Sequence, residues 1–253
     1  MSRSIVVLHG ANGGAAEVEG LSAALRPFAP VFAPNLLGHG GRPIPPRLDT
    51  KDLAADVMEG IAREGLERPF IVGYSVGGYL ALYLARHFPD RVRGACAIAT
   101  KVVFDAPTVK HWSYLASPAR LGRPGNPRAG QLEKVHAPQD WKEVAMANVR
   151  FFEELGHAPP LANADFAAID VPVMLVNSNR DQLVPWAETL ALRSLMPRSA
   201  LVMFYGLAHP MAHVPVESLA LRIDAWMKGT GCAQASAARG RARSMRSSTT
   251  SAA

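Results

Sequence analysis

The chain has 253 residues, of which 49% are hydrophobic and 19% charged; that is enough apolar material for one large core and excludes a chain that is disordered throughout. Its net charge of +6 gathers at one end, since Arg239, Arg241, Arg243 and Arg246 supply four of the six, and the +2 left over gives the body of the chain no nucleic-acid signature. Cys96 and Cys232 are too few for a disulfide framework and fit a reducing, cytoplasmic setting.

In chain order, Met1 to Ser4 lead straight into the apolar run Ile5 to Leu8, which is too brief for the core of an export signal. That run predicts a buried strand, as do Phe70 to Val72, Val92 to Ala99 and Val171 to Val176; Val31 to Ala33 and Leu201 to Tyr205 are weaker strand candidates. Helical spacing separates them. Leu53, Val57, Met58 and Ile61 form one apolar stripe after an N-cap at Asp49 or Thr50, and Tyr79 to Arg86 form a second helix. Pro185 opens a helix over Trp186 to Met196 that Pro197 closes, and Pro215 opens another with Leu219, Ile223, Trp226 and Met227 on one face.

Strand and helix in alternation predict an α/β fold with a mostly parallel sheet flanked by helices on both faces. The alternation lapses between Lys101 and Ala168, where Pro118, Gly122, Pro124, Gly125, Pro127 and Gly130 cluster, with one helix expected over Asp140 to Leu155. Residues 101–168 therefore read as a cap or lid inserted in the second half, over a core made of residues 1–100 and 169–228. From Gly229 on, residues 229–253 are Ala, Ser, Thr and Arg with almost no large apolar side chain, the composition of a disordered basic tail. No membrane span is expected: the longest uncharged apolar stretch, Phe70 to Ala85, is broken by a glycine turn and too short to cross a bilayer.

That glycine turn carries the chemistry. Gly73-Tyr74-Ser75-Val76-Gly77 lies between a strand and a helix, where a sharp turn lifts the serine hydroxyl clear of the sheet and nominates acyl transfer through a serine nucleophile. Asp181 follows the strand ending at Val176, at the carboxyl edge where open α/β sheets bind ligands, and can orient a base. His209 follows the strand around Leu201 to Tyr205 and suits a general base; His213, four residues on, is its rival, and spacing does not separate the two.

The order Ser75, Asp181, His209 resembles that of the α/β-hydrolases, and four stretches carry the likeness: His9-Gly10-Ala11-Asn12-Gly13-Gly14, Asn35-Leu36-Leu37-Gly38-His39-Gly40, Gly73 to Gly78, and Asp181 with His209. The chain resembles a small, single-cap serine esterase-like member, and the likeness spans roughly residues 5 to 228. It implies a catalytic triad of Ser75, Asp181 and His209 and an oxyanion hole from the Ala11 and Val76 amides, with Asn12 contributing or holding the loop. Departures are Asn35, where the family usually has Asp, Ser178, where a glycine commonly stands three residues before the acid, and a start at what resembles the family's third strand. His9 and His39 match no metal-binding spacing, and Gly10 to Gly13 lack the dinucleotide fingerprint, so no metal and no cofactor are expected.

The resulting expectation is hydrolysis of a carboxylic ester or related acyl bond of a small molecule with an apolar group, with Asn12, Tyr74, Trp112 and Trp141 as substrate-binding side chains. The ordinary role of Trp112, Tyr114, Leu115, Trp141, Phe151 and Phe152 is to pack the lid onto the core, and that role carries more weight for them than substrate contact. Thioesterase, lactonase, carbon–carbon bond hydrolase and perhydrolase chemistry use the same triad, and a ligand receptor or an acyltransferase retains the same residues.

Overall fold

The computed structural model describes residues 3–230. The Ile- and Val-rich runs pair as β1 (Ile5–Leu8), β2 (Val31–Phe32), β3 (Phe70–Tyr74), β4 (Gly94–Ile98), β5 (Val173–Ser178) and β6 (Ala200–Phe204). They form one sheet in the order β2-β1-β3-β4-β5-β6, with every neighbouring pair parallel.

Alternation along each strand builds two cores. Val6, Leu8, Ile71, Ala97 and Leu175 face one side, where α2 (Thr50–Arg63) and α3 (Val76–His87) cover them with Leu53, Val57, Ile61 and Leu80. Ile5, Val7, Val72, Cys96 and Met174 face the other, against α1 (Glu19–Leu25) and α10 (residues 216–230) through Leu21, Leu25, Leu219 and Ile223. The α2 stripe starts where the sequence places it: Asp49 is the N-cap, and its side chain accepts the Asp52 N–H at 2.8 Å.

Between β4 and β5 lie α4 (Ala106–Ala116), α5 (Pro118–Leu121), α6 (Arg128–His136), α7 (Trp141–His157) and α8 (Asn163–Ala167); α9 (Trp186–Leu195) follows β5. Sequence spacing foresees only α7 among these five. The others are shorter helices; α4 and α5 are entered through side-chain caps at Asp105 and Ser117, Asp105 accepting the Thr108 N–H at 2.9 Å beside Pro107. Glu188 of α9 anchors the start of this segment by accepting the Val102 and Val103 amides at 2.6 and 2.9 Å and pairing with buried Lys101. At the far end, residues 229 and 230 continue α10, whereas the sequence places the tail from Gly229; the rest of the expected tail lies outside the described residues. Among the described residues no helix is long and apolar enough to cross a membrane.

The connection after β1 runs to β2 on one side and the connection after β3 runs to β4 on the other, which opens a crevice beyond the carboxyl ends of β1 and β3. The His9-Gly10 loop and Ser75 both emerge there.

Candidate active site

Ser75 follows β3 as the N-cap of α3, with φ 54° and ψ −116°, a left-handed backbone held by its own N–H donating to Ile98 O at 2.8 Å. Two glycines make the turn possible: a Cβ on Gly73 would overlap the Gly77 carbonyl, and one on Gly77 would crowd the carbonyls of Leu8 and His9. The helix therefore starts directly against β1, and the Val76 amide is left at its N-terminus.

His209, 8% exposed, lies in the loop after β6 with its Nε2 3.2 Å from Ser75 Oγ and its Nδ1–H donating to Asp181 Oδ2 at 2.8 Å. Asp181 turns its other oxygen inward, where Oδ1 accepts the Leu183 and Val184 amides at 2.8 and 2.9 Å. Ser178 ties the two loops, its Oγ accepting the Leu207 N–H at 3.0 Å. Tyr74 adds a further hold, its hydroxyl donating to His209 O at 3.0 Å, and burial raises its pKa well above the ordinary phenol range. His213, the rival base, sits in the single turn Met211–His213 with its side chain exposed.

A cavity of about 310 Å³ opens above Ser75, lined by Trp112, Leu115, Phe152 and Leu183 on its apolar side. Trp112 spans it, with ring centroids 5.4 Å from Phe152 and 6.1 Å from His209. Asn12 and Tyr74 also line it; Asn12 Nδ2 donates to Ala116 O of α4 at 3.1 Å. Trp141 does not line this cavity. It opens α7 and packs with Leu132 and Ala145 inside the inserted segment, because α7 meets the site through its opposite end, at Phe152.

Ala11 and Val76 border the site on two sides of Ser75, and neither amide has an acceptor among the described residues. Beside them lie residues that sequence spacing does not single out: Glu17, Arg128 and His136. His136 completes a row of three buried histidines with His9 and His39, ring centroids 5.2 and 5.9 Å apart. Each is fixed as a neutral tautomer. His9 donates from Nδ1 to Gly10 O and accepts the Leu36 amide at Nε2; His39 donates to Leu37 O and accepts from Asn148; His136 accepts the Gly40 amide and donates to Asn12 O. Burial, reinforced by the neighbouring imidazoles, lowers His9 to about 3, and burial foremost lowers His39 to about 4. Among the described residues no group of side chains has the makings of a metal site.

Residues 5–221 match the model of the alpha/beta hydrolase family. The chain belongs to that family. A pimeloyl-[acyl-carrier protein] methyl ester esterase of Neisseria meningitidis is 29% identical over 227 residues, covering 82% of this chain and 86% of the relative. Among solved structures, a thermophilic esterase from Thermogutta terrifontis superposes with a TM-score of 0.72 at 20% identity, covering 91% of each chain. The enol-lactonase of Burkholderia xenovorans gives 0.70 at 17% identity, covering 90% of this chain and 92% of the other. This chain is thus an alpha/beta hydrolase with esterase-type relatives, and the structural likenesses speak to its fold.

Proposed function

We propose that this hydrolase cleaves carboxylic esters through Ser75, with His209 as base and Asp181 as its orienting acid. One observation carries the reading: Ser75 Oγ, His209 and Asp181 are joined by consecutive contacts of 3.2 and 2.8 Å at the floor of an apolar-walled cavity.

With Asp181 accepting the Nδ1 proton, His209 Nε2 is left as the acceptor facing the serine. Ser75 Oγ attacks the ester carbonyl as its proton passes to Nε2; the tetrahedral oxyanion accepts from the Ala11 and Val76 amides, and the imidazolium returns its proton to the departing alkoxide. Water, deprotonated by the same imidazole, then attacks the acyl-enzyme and releases the carboxylic acid and the free serine. The Val76 amide suits the oxyanion because it heads α3, where unpaired donors and the helix dipole favour negative charge.

In this reading residues 101–168 act as a cap on a core of residues 1–100 and 169–228, and Trp112, Leu115 and Phe152 receive the apolar part of a small ester, beside Asn12 and Tyr74. The ester chemistry draws support from the methyl ester esterase among the relatives. A cytoplasmic location is part of the same proposal, consistent with the buried free thiol of Cys96.

The test is a p-nitrophenyl ester series of increasing acyl length, run on the wild type and on Ser75→Ala beside a reaction containing an added alcohol acceptor. Ser75-dependent release of acid is expected. Binding without turnover would point to a receptor, transfer to the alcohol in preference to water would point to an acyltransferase, and turnover that survives in Ser75→Ala removes the serine from the mechanism.

A further inference from the structure

The loop that carries the Ala11 amide rests on a carboxylate. Glu17 lies in the short turn Ala15–Val18 with a largely buried side chain; its Oε2 accepts the Gly10 N–H at 3.0 Å, and its Oε1 lies 3.5 Å from Arg128 Nη2 at the start of α6. The carboxylate packs closely against both glycines of the loop. A Cβ on Gly10 would come within 3.3 Å of Oε2, and one on Gly13 would overlap that same oxygen. On the other side of Gly10, its carbonyl accepts from His9 Nδ1–H at 2.8 Å and from the Gly13 amide at 3.2 Å. In a trans peptide the carbonyl and the next N–H point in opposite directions, so the contacts on the Gly10 carbonyl aim the Ala11 N–H away from His9 and Gly13, while Glu17 holds the peptide before it and with it the hinge at Gly10 Cα.

The inserted segment holds this loop at two more points. His136, at the other end of α6, donates to Asn12 O at 3.3 Å, and Ala116 of α4 accepts from Asn12 Nδ2 at 3.1 Å. Charge gives Arg128 a second task. A carboxylate beside an oxyanion opposes the charge that develops there, and the guanidinium at 3.5 Å offsets it.

We propose that Glu17 is a positioning residue: its carboxylate, tied to α6 through Arg128, sets the direction of the Ala11 amide, so that oxyanion stabilisation depends on how the inserted helices are seated. This rests on Ser75 being the nucleophile and Ala11 an oxyanion donor. An amide side chain at position 17 keeps an acceptor for Gly10 without the charge, whereas alanine removes both.

The experiment measures kcat and KM on p-nitrophenyl butyrate for the wild type, Ser75→Ala, Glu17→Gln, Glu17→Ala, Arg128→Ala and the Glu17→Gln/Arg128→Ala pair, with thermal melts to check folding. Glu17→Ala should lower kcat about tenfold or more, less than loss of a whole oxyanion donor, with KM within about twofold. Glu17→Gln should keep kcat within about threefold, and Arg128→Ala should cost several-fold alone but under about twofold in the Gln background. A change confined to KM, equal impairment by Gln and Ala, or additive losses in the pair would each overturn the proposal. If Glu17→Ala does not fold, the Gln/Arg128 cycle decides. Where turnover needs Ser75 but ignores Glu17 and Arg128, this proposal alone fails; where the wild type shows no Ser75-dependent turnover, the hydrolytic reading fails and takes this proposal with it.

Discussion

Acid should loosen this protein earlier than its carboxylates alone would. His9, His39 and His136 are buried as neutral tautomers, and two of them accept a backbone N–H at the nitrogen a proton would have to occupy: Leu36 at His9 and Gly40 at His136. Neighbouring charge adds to the cost, since Arg42 faces His39 and Arg128 faces His136. Folded-state values of about 3 for His9 and about 4 for His39, both below the ordinary 6.5, mean that the unfolded chain binds more protons once the pH drops below 6.5. Stability is then lost as the pH falls through that window and held above it. Between pH 7 and pH 5 each of these two histidines removes about 2 kcal/mol, or about 4 kcal/mol together, a sizeable share of the roughly 5–15 kcal/mol typical of a folded domain. His136 adds in the same direction. Glu17 works against them: burial raises its value, so it favours the folded state more as the pH falls.

Urea unfolding followed by tryptophan fluorescence at intervals from pH 7 to pH 5 reads the slope directly. His39→Gln keeps a donor and an acceptor toward Leu37 and Asn148 but cannot titrate, so it should flatten the slope by about 1 kcal/mol per pH unit whatever its own effect at pH 7. A wild-type stability that stays level from pH 7 to pH 5, or a slope that His39→Gln leaves untouched, would refute the reasoning.

Other expectations concern the site. His209→Ala should abolish ester turnover while exposed His213→Ala retains most of it, checked by initial rates with both variants melting near the wild type. Trp112→Ala should act mainly on KM for long acyl chains, because its ring walls the cavity next to Phe152. Trp141→Ala should instead cost about 3–5 kcal/mol of stability, read by denaturant midpoint, and leave the acyl-chain preference unchanged.

The core of this fold was legible because its signals are local. A β-branched run bounded by glycine is a buried strand wherever it pairs, and the Gly73 to Gly77 turn needs only the strand before it and the helix after it. Ser75 and Asp181 could be placed from their strand ends, whereas the base was narrowed only to His209 or His213, and the family likeness was needed to prefer His209. The Glu17–Arg128 contact leaves no such trace, since it joins a turn after β1 to a helix beyond β4, and each residue by itself reads as solvated charge. His136 was silent for the same reason: its partners Gly40 and Asn12 O come from two other loops. Trp141 misled because an aromatic in an inserted segment has the same composition whether it faces a ligand or its own helix bundle. Only the direction in which α7 enters decides between them.

The two backbone amides on Asp181 Oδ1 make that side chain a one-way fitting. If asparagine took its place, the carbonyl oxygen would have to stay with the Leu183 and Val184 donors, which forces the NH₂ toward His209. An imidazole facing a donor at Nδ1 must carry its own proton on Nε2, and so presents Ser75 with hydrogen where it needs a lone pair. A swap of nearly equal size, with no loss of packing, thus inverts the polarity of the whole relay, at a cost on the order of 10⁴ in rate where this tautomer error has been enforced in other serine hydrolases. In the proposed mechanism the loop after β5 therefore does more than hold a carboxylate near His209: it selects which end of the imidazole is basic.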